Sequence, residues 1–245
     1  MLEKIPTLSF CIVYQGQMEQ IRQTLGKNLT DNERHKDIIE FVLFDCKPSD
    51  HLLEWILADF YEAVNSGYLC YYSCGFDIDC NLQTAKNTAC FYSKNDIVTY
   101  CGCGDFTGYL GGKYIISRFI NFPRIVLQQL KNKYDIGTER ISVLRQYFDI
   151  VGGYDEEFIS DCHVEDLMIR LNFAGIHHVQ CGEQNYNQSL AIEKDTFAEI
   201  QYIDSYQEGS KRSQEKIFEG RIVANNGGLY GLRSGILNHK SENHH

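Results

Sequence analysis

No apolar run in the chain approaches the roughly 20 residues that a membrane-spanning helix needs. Its start, "MLEKIPTLSFCIVYQG", has neither the long apolar core nor the cleavage site of a secretory signal. These absences lead to the expectation of a cytoplasmic protein without a transmembrane segment. Positive charge is also scarce: 23 Lys and Arg stand against 33 Asp and Glu, giving a formal charge of −10 and a pI near 5.3. Phosphate-backbone binding needs clustered cations, so nucleic acid is not an expected partner. An anionic ligand would have to be met by a local positive pocket or a metal ion. No CxxC pair occurs among the ten cysteines, and Cys70, Cys74 and Cys80 lack the paired spacing of a zinc ribbon. In a large chain with no secretory signal, most of these thiols are expected to be reduced and packed as small hydrophobes. "HHVQC" (177–181) could ligate a metal but reads more simply as a strand with a polar rim. No internal repeat or linker divides the 245 residues, so one domain covers 1–245.

What the chain does contain is alternation. "LSFCIVY" (8–14), "IIEFVLFD" (38–45), "GYLCYYSC" (67–74) and "DIVTYC" (96–101) read as buried strands, rich in β-branched and aromatic residues. Between them, "MEQIRQTLGKNL", "SDHLLEWILADFYEAV" (49–64) and "NLQTAKNTACFYS" (81–93) carry helical spacing, the second with Ser49 or Asp50 as N-cap. Strand–helix alternation of this kind predicts an α/β, doubly wound, Rossmann-like and mostly parallel sheet with helices on both faces. Ligands of such sheets sit beyond the strand carboxyl ends. Tyr14, Gln15, Asp45 and the loop 101–105 all fall there. The second half is less regular. "TERISVLRQYFDIVGGYDEEF" (138–158) alternates like a strand and breaks at Gly152-Gly153, and "HVEDLMIRLNFAG" (163–175) is a short amphipathic helix stopped by Gly175. The polar stretch "YQEGSKRSQEK" reads as a surface loop or lid.

Five segments in this order, "LSFCIVYQGQMEQIRQTLGKNL", "EFVLFDCKPSDHLLEWI", "TAKNTAC", "NDIVTYCGCGDF" and "VGGYDEEFISDCHVEDLMIRLNFAG", together resemble a family 2-type glycosyltransferase of the GT-A fold. The last also looks like the acceptor-side segment of galactosyltransferase-like relatives. The resemblance spans about residues 7–180. It implies a nucleotide-binding half at 1–106, an acceptor and catalytic half at 107–181 and a C-terminal lid or extension at 182–245. It further implies transfer of a sugar, with inversion, from a nucleotide sugar (usually UDP-linked) to a hydroxyl of a glycan or small acceptor. Asp45 would take the N–H of the nucleotide base, flanked by Tyr14 and Gln15. Lys86 and Asn87 match a basic residue and Asn beside the nucleotide, and Gly102, Gly104 and Asp105 would line the diphosphate. Gly152, Gly153 and Tyr154 would shape the acceptor pocket. Of the pair Glu165 and Asp166, one carboxylate, commonly the Asp, would act as general base. Each has a plain alternative: Asp45 as a turn residue, Lys86 as a surface lysine, Glu165 and Asp166 as helix caps.

One departure stands out. Where the family carries an Asp-x-Asp motif that holds Mn²⁺ or Mg²⁺, this chain has Gly102-Cys103-Gly104, with Asp105 one place beyond. Hard divalent ions prefer oxygen ligands to a neutral thiol. Three readings stay open. A weak metal site could use Asp105 with a distant His163 or His239. Charge compensation without metal could fall to Lys86, Lys113 or Arg118. Or the domain binds a nucleotide, glycan or protein partner without turnover. Zinc on Cys101 and Cys103 rests on a weak Cys-x-Cys signature.

Overall fold

In the computed structural model the described residues are 4–48, 51–75, 80–129, 140–157, 163–181 and 211–238. Eight strands are described: β1 Leu8–Tyr14, β2 Ile39–Asp45, β3 Leu69–Cys74, β4 Ile97–Tyr100, β5 Ile125–Gln129, β6 Ile141–Leu144, β7 His177–Cys181 and β8 Ile236–Asn238. They form one sheet in the order β7-β5-β6-β4-β1-β2-β3-β8. The central block β3-β2-β1-β4 is parallel, and β5 and β7 pair in parallel beyond it. β6 enters antiparallel between β4 and β5, and β8 closes the far edge antiparallel to β3.

β1 and β2 are buried over their whole length, which is why they read as largely apolar runs, interrupted by Ser9 in β1 and Glu40 in β2. Alternation along each strand feeds two separate cores. Phe10, Ile12 and Tyr14 pack with α1 (Met18–Asn32), α2 (Leu52–Asp59), α3 (Tyr61–Asn65) and α5 (Gly111–Asn121). Cys11 and Val13 pack on the opposite face with α4 (Leu82–Tyr92), α6 (Arg145–Ile150) and α7 (His163–Phe173). Helices therefore cover both faces, as the alternation predicts.

The differences from the expected elements have local causes. The single helix expected over 49–64 is two, because Phe60 leaves the helical region at φ −128° and ψ 25°; Ser49 and Asp50 lie outside the described residues. The strand expected from 138 is short. β6 has four residues, and α6 then turns the chain into the glycine pair. α5, β5 and β8 were not anticipated. Of "YQEGSKRSQEK", the described part is helical: α8 covers 211–218, with Ser213 and Lys216 buried. A short helix, α9 (Asn225–Gly228), follows it.

α1 explains an oddity of its sequence. Thr24, Asn28 and Asn32 are buried polar residues on a helix that packs on the sheet. They hold the loop after β4. Thr24 Oγ1 donates to the Cys103 carbonyl, Asn28 takes Thr107 N–H at 2.8 Å and gives Nδ2–H to the Asp105 carbonyl at 2.8 Å, and Asn32 accepts from Gly112 N–H at 2.9 Å. Buried polar groups need partners, and here the loop backbone supplies them.

Candidate functional site

The sequence-predicted residues assemble as two groups. The first lies at the carboxyl ends of β1, β2 and β4. Parallel register sets Tyr14 opposite Asp45, and Cys46 N–H donates to the Tyr14 carbonyl at 2.9 Å. Asp45 is fully buried. Its Oδ1 accepts Lys47 N–H at 2.7 Å, closing a turn, and its Oδ2 accepts the Tyr71 hydroxyl at 2.5 Å. The turn role and a ligand role are compatible, because a carboxylate oxygen carries more than one acceptor site. Gln15 is half-buried, with its N–H on the Gln17 side chain at 2.7 Å.

The loop 101–105 is a closed turn. Asp105 N–H donates to the Gly102 carbonyl at 3.0 Å, and Asp105 Oδ2 accepts Gly102 N–H at 2.9 Å. The same oxygen lies 3.5 Å from Arg140 Nη2, whose Nη1 donates to the Phe106 carbonyl at 2.9 Å. Burial pushes the Cys101 thiol up to about 12, against the opposing pull of Arg140, and raises Cys103 as well. Both sulfurs are therefore protonated packing groups. Of the cations proposed to face this loop, Lys113 is exposed on α5, and Arg118 lies over the Phe122 ring at 5.6 Å and beside Cys181. Arg140 was missed. Its signal was available only after pairing: Thr99 opposes Ser142 in the antiparallel β4–β6 register, which runs on to set Arg140 across from Cys101.

The second group is built around α4 and α7. Lys86 is fully buried in the middle of α4, which rules out the surface-lysine alternative. Its Nζ donates to His163 Nε2 at 2.6 Å and stands 4.1 Å from the centre of the Tyr100 ring and 5.4 Å from that of Tyr154. On the other side of the ring, His163 Nδ1 lies 3.3 Å from Gln83 Nε2. Tyr100 ends β4, so Lys86 links the two groups. Asn87 clamps the glycine turn: Oδ1 accepts Tyr154 N–H at 2.9 Å, and Nδ2 donates to the Tyr154 carbonyl and to Glu156, each at 2.8 Å. Gly152 and Gly153 have positive φ (77° and 68°). A Cβ on Gly152 would stand 2.6 Å from the Ala224 carbonyl oxygen, and one on Gly153 2.6 Å from Asn87 Oδ1. Tyr154 is buried against His163 and Phe148.

Glu165 and Asp166 lie in the first turn of α7, and both are buried. Asp166 accepts Arg170 Nε at 2.8 Å and pairs with Nη2 at 2.6 Å, one helical turn on, while Ser213 Oγ of α8 donates to its other oxygen at 2.6 Å. Arg170 Nη1 in turn donates to the Val151 carbonyl at 2.6 Å. A cavity of about 250 Å³ opens beside this pair, lined among others by Asp155, Glu157, Asp166, Arg170, Lys216 and Arg221. Lys216 Nζ bridges Asp155 at 2.6 Å and Glu157 at 2.9 Å. The C-terminal segment thus forms one wall of the cavity. Sequence reasoning expected a lid or extension here but did not name Ser213 or Lys216, because hydrogen bonds across some 47 to 61 residues tie them to the site.

Among the described residues no group of three His, Cys, Asp or Glu side chains is placed to hold a metal ion. Asp105, the one carboxylate of the loop, is turned onto Gly102 N–H and Arg140. This donor set does not fit a hard divalent ion. His239 lies outside the described residues.

A sheet of order 3-2-1-4-6-5-7 with an added edge strand, helices on both faces and loops gathered at the strand ends is the GT-A fold of glycosyltransferases. Three solved structures of two proteins make the likeness concrete. The mannosyltransferase PcManGT from Pyrobaculum calidifontis, in complex with GDP-Man and Mn2+, matches at TM-score 0.68 and 12% identity, over 86% of this chain and 65% of that one. S. aureus TarS 1–349 matches at TM-score 0.61 and 11% identity over 83% and 71%, and in complex with UDP-GlcNAc at TM-score 0.60 over 78% and 60%. The chain thus spans about two thirds of these structures. No protein-family model and no curated protein matches the sequence.

Proposed function

We propose that the protein transfers a sugar from a nucleotide sugar, UDP-linked by preference, to a hydroxyl of a glycan or small acceptor, with inversion at the anomeric carbon. The observation that carries this reading is the juxtaposition, on a GT-A sheet, of a buried Asp45 at the end of β2 with the glycine turn at the end of β4. Asp45 would accept the imide N–H of uracil, a donor that a fixed carboxylate selects over an acceptor edge. Gly102 and Gly104 lack side chains, so a diphosphate could approach the turn backbone, with Arg140 as the nearest described cation. Asp166 is the base in this scheme. It is paired with Arg170 and borders the cavity where an acceptor would lie. The Ser213 hydroxyl donates to the oxygen that would take the acceptor proton, and that oxygen keeps a second acceptor site. No step here runs through a metal ion.

A second reading has its own support: a domain that binds a nucleotide or glycan without turnover. Asp105 and Asp166, the two acids that chemistry would call on, are both committed to neighbouring arginines. Calorimetric titration with UDP, GDP and their sugar derivatives, with and without Mn²⁺, followed by NMR of any product, separates the two. Binding plus a product of inverted anomeric configuration supports transfer. Binding of UDP with no turnover of any donor supports the second reading, and no nucleotide binding at all sinks the first.

A further inference from the structure

Gln129 ends β5, is 2% exposed, and has a buried amide oxygen, Oε1, that no donor meets among the described residues. Its chain neighbour shows the contrast. Gln128 points to the opposite face of the strand, where its Oε1 lies 2.9 Å from His178 Nε2 and accepts Gln180 Nε2–H at 3.2 Å. A buried amide oxygen without a partner is destabilising, so the exception at Gln129 calls for an explanation.

Its place on the sheet supplies one. Strand by strand, the carboxyl edge runs from Asp45 on β2 to Tyr14 on β1 and the turn after β4, then to Arg140 before β6 and Gln129 on β5. Gln129 N–H donates to the Arg140 carbonyl at 3.0 Å, so the two residues oppose each other across the antiparallel pair. Their side chains therefore leave on one face, and Ile125 and Leu127 place that face on the α5 side. In the nucleotide-sugar reading the base lies at Asp45 and Tyr14 and the diphosphate at the 101–105 turn. The sugar then continues along the edge, away from the base, toward β6 and β5. Neighbouring strands stand about 4.8 Å apart, so Gln129 is about 10 Å beyond β4, a distance that a phosphate and a pyranose ring together span.

We propose that Gln129 reads the transferred sugar, its Oε1 accepting one pyranose hydroxyl of the donor; the assignment rests on the nucleotide-sugar reading of this edge. Arg140 controls the access. Its side chain shares a face with that of Gln129 and now lies against Asp105, 3.5 Å from Oδ2. Drawing the guanidinium onto a diphosphate opens the amide to the sugar attached to that diphosphate. A polar group built to meet one hydroxyl discriminates strongly, because a sugar that lacks the hydroxyl, or carries it on the other side of the ring, leaves the oxygen unpaired. Gln129 is therefore a specificity residue for the donor, and it takes no part in the proton transfer assigned to Asp166.

The test is calorimetric titration of the wild type and Gln129→Met with UDP, UDP-glucose, UDP-galactose and UDP-N-acetylglucosamine, beside thermal unfolding of both without ligand. Gln129→Met should bind UDP as the wild type does, bind the preferred UDP-sugar about tenfold more weakly, and show a smaller spread of affinity among the sugars. Without ligand it should unfold at or above the wild-type temperature, since no hydrogen bond is lost. Gln128→Met is the control: it removes the acceptor beside His178 and Gln180, so it should unfold at lower temperature and keep the sugar preference. Unchanged UDP-sugar affinity in Gln129→Met, or a loss of stability as large as in Gln128→Met, overturns the proposal. A wild type that binds UDP no more tightly with a sugar attached overturns this assignment alone, whereas one that binds no nucleotide sinks the nucleotide-sugar reading and the assignment together.

Discussion

Replacing Asp166 by Asn bears on both the chemistry and the fold, and the two effects can be separated. Asp166 and Arg170 are about 2% exposed on the same face of α7, one turn apart, with two nitrogens of Arg170 on one carboxylate oxygen and Ser213 on the other. Removing one member of a buried pair leaves the other as an uncompensated charge, at a cost of about 3–5 kcal/mol. Asp166→Asn and Arg170→Met should each therefore lose about that much, the second also stripping a donor from the Val151 carbonyl. In the double variant the stranded charge is gone, so the loss should be about 2 kcal/mol or more below the sum of the singles. Urea unfolding of the four proteins gives the coupling directly. If it comes out under about 0.5 kcal/mol, the pair is not what fixes the start of α7, and the reasoning here is wrong. With that cycle in hand, activity is interpretable. Ser213→Ala keeps the ion pair and loses one hydrogen bond to a charged group, about 1.5–3 kcal/mol, while leaving Asp166 free to accept another proton. Lost turnover in Asp166→Asn with turnover kept in Ser213→Ala would mark Asp166 as the base.

Three further outcomes follow from particular contacts. Gly153→Ala forces an L side chain into φ +68° and a Cβ to 2.6 Å from Asn87 Oδ1, so it should cost at least about 2 kcal/mol in the same urea assay. Asp45→Asn retains an oxygen for Lys47 N–H but loses the charge opposite the Tyr71 hydroxyl and the proposed uracil acceptor; calorimetry should find UDP bound at least about tenfold more weakly, with secondary structure unchanged. Burial raises the Cys101 thiol from 9.0 to about 12, so the unfolded chain gives up that proton first as pH rises. The stabilisation is whole below pH 9 and drains away between 9 and 12, at up to about 1.4 kcal/mol per pH unit, and Cys101→Ala should show a shallower alkaline loss in unfolding free energy.

How much of this was legible in the sequence depends on whether a residue's partner is near in the chain. β1 to β4 and the helices between them declare themselves by local pattern, and α7 lies within the helix read over 163–175. The convergence of Tyr14, Asp45 and loop 101–105 also follows from the topology alone. β8 could not be read that way: three residues gain strand form only by adding to the β3 edge, 160 or so positions earlier. Lys86 is the clearest case of a right neighbourhood with unforeseen surroundings. Its place beside Asn87 suggested a cation near the nucleotide phosphates, with a surface lysine as the plain alternative, but Tyr100, Tyr154 and His163 close around it from three other segments.

The missing acidic pair at 102–104 then takes on a physical meaning. A loop that holds a divalent ion must present free oxygen ligands outward, whereas this one is satisfied inward. Its carboxylate caps its own Gly102, Arg140 lies against it, and three α1 side chains bind the loop and the start of α5 behind it. Such a turn has its polar groups satisfied without any ion, and it holds the Arg140 guanidinium against its carboxylate. Turning Asp105 toward a ligand would release Gly102 N–H and one side of Arg140 together, both of them donors that a phosphate oxygen accepts. The exchange of one anion for another on the same two donors is the simplest way for this loop to receive a diphosphate. It predicts that Asp105→Asn, by weakening the resident anion, tightens nucleotide diphosphate binding in calorimetry while Arg140→Met weakens it. Equal affinities in the two variants would refute the exchange.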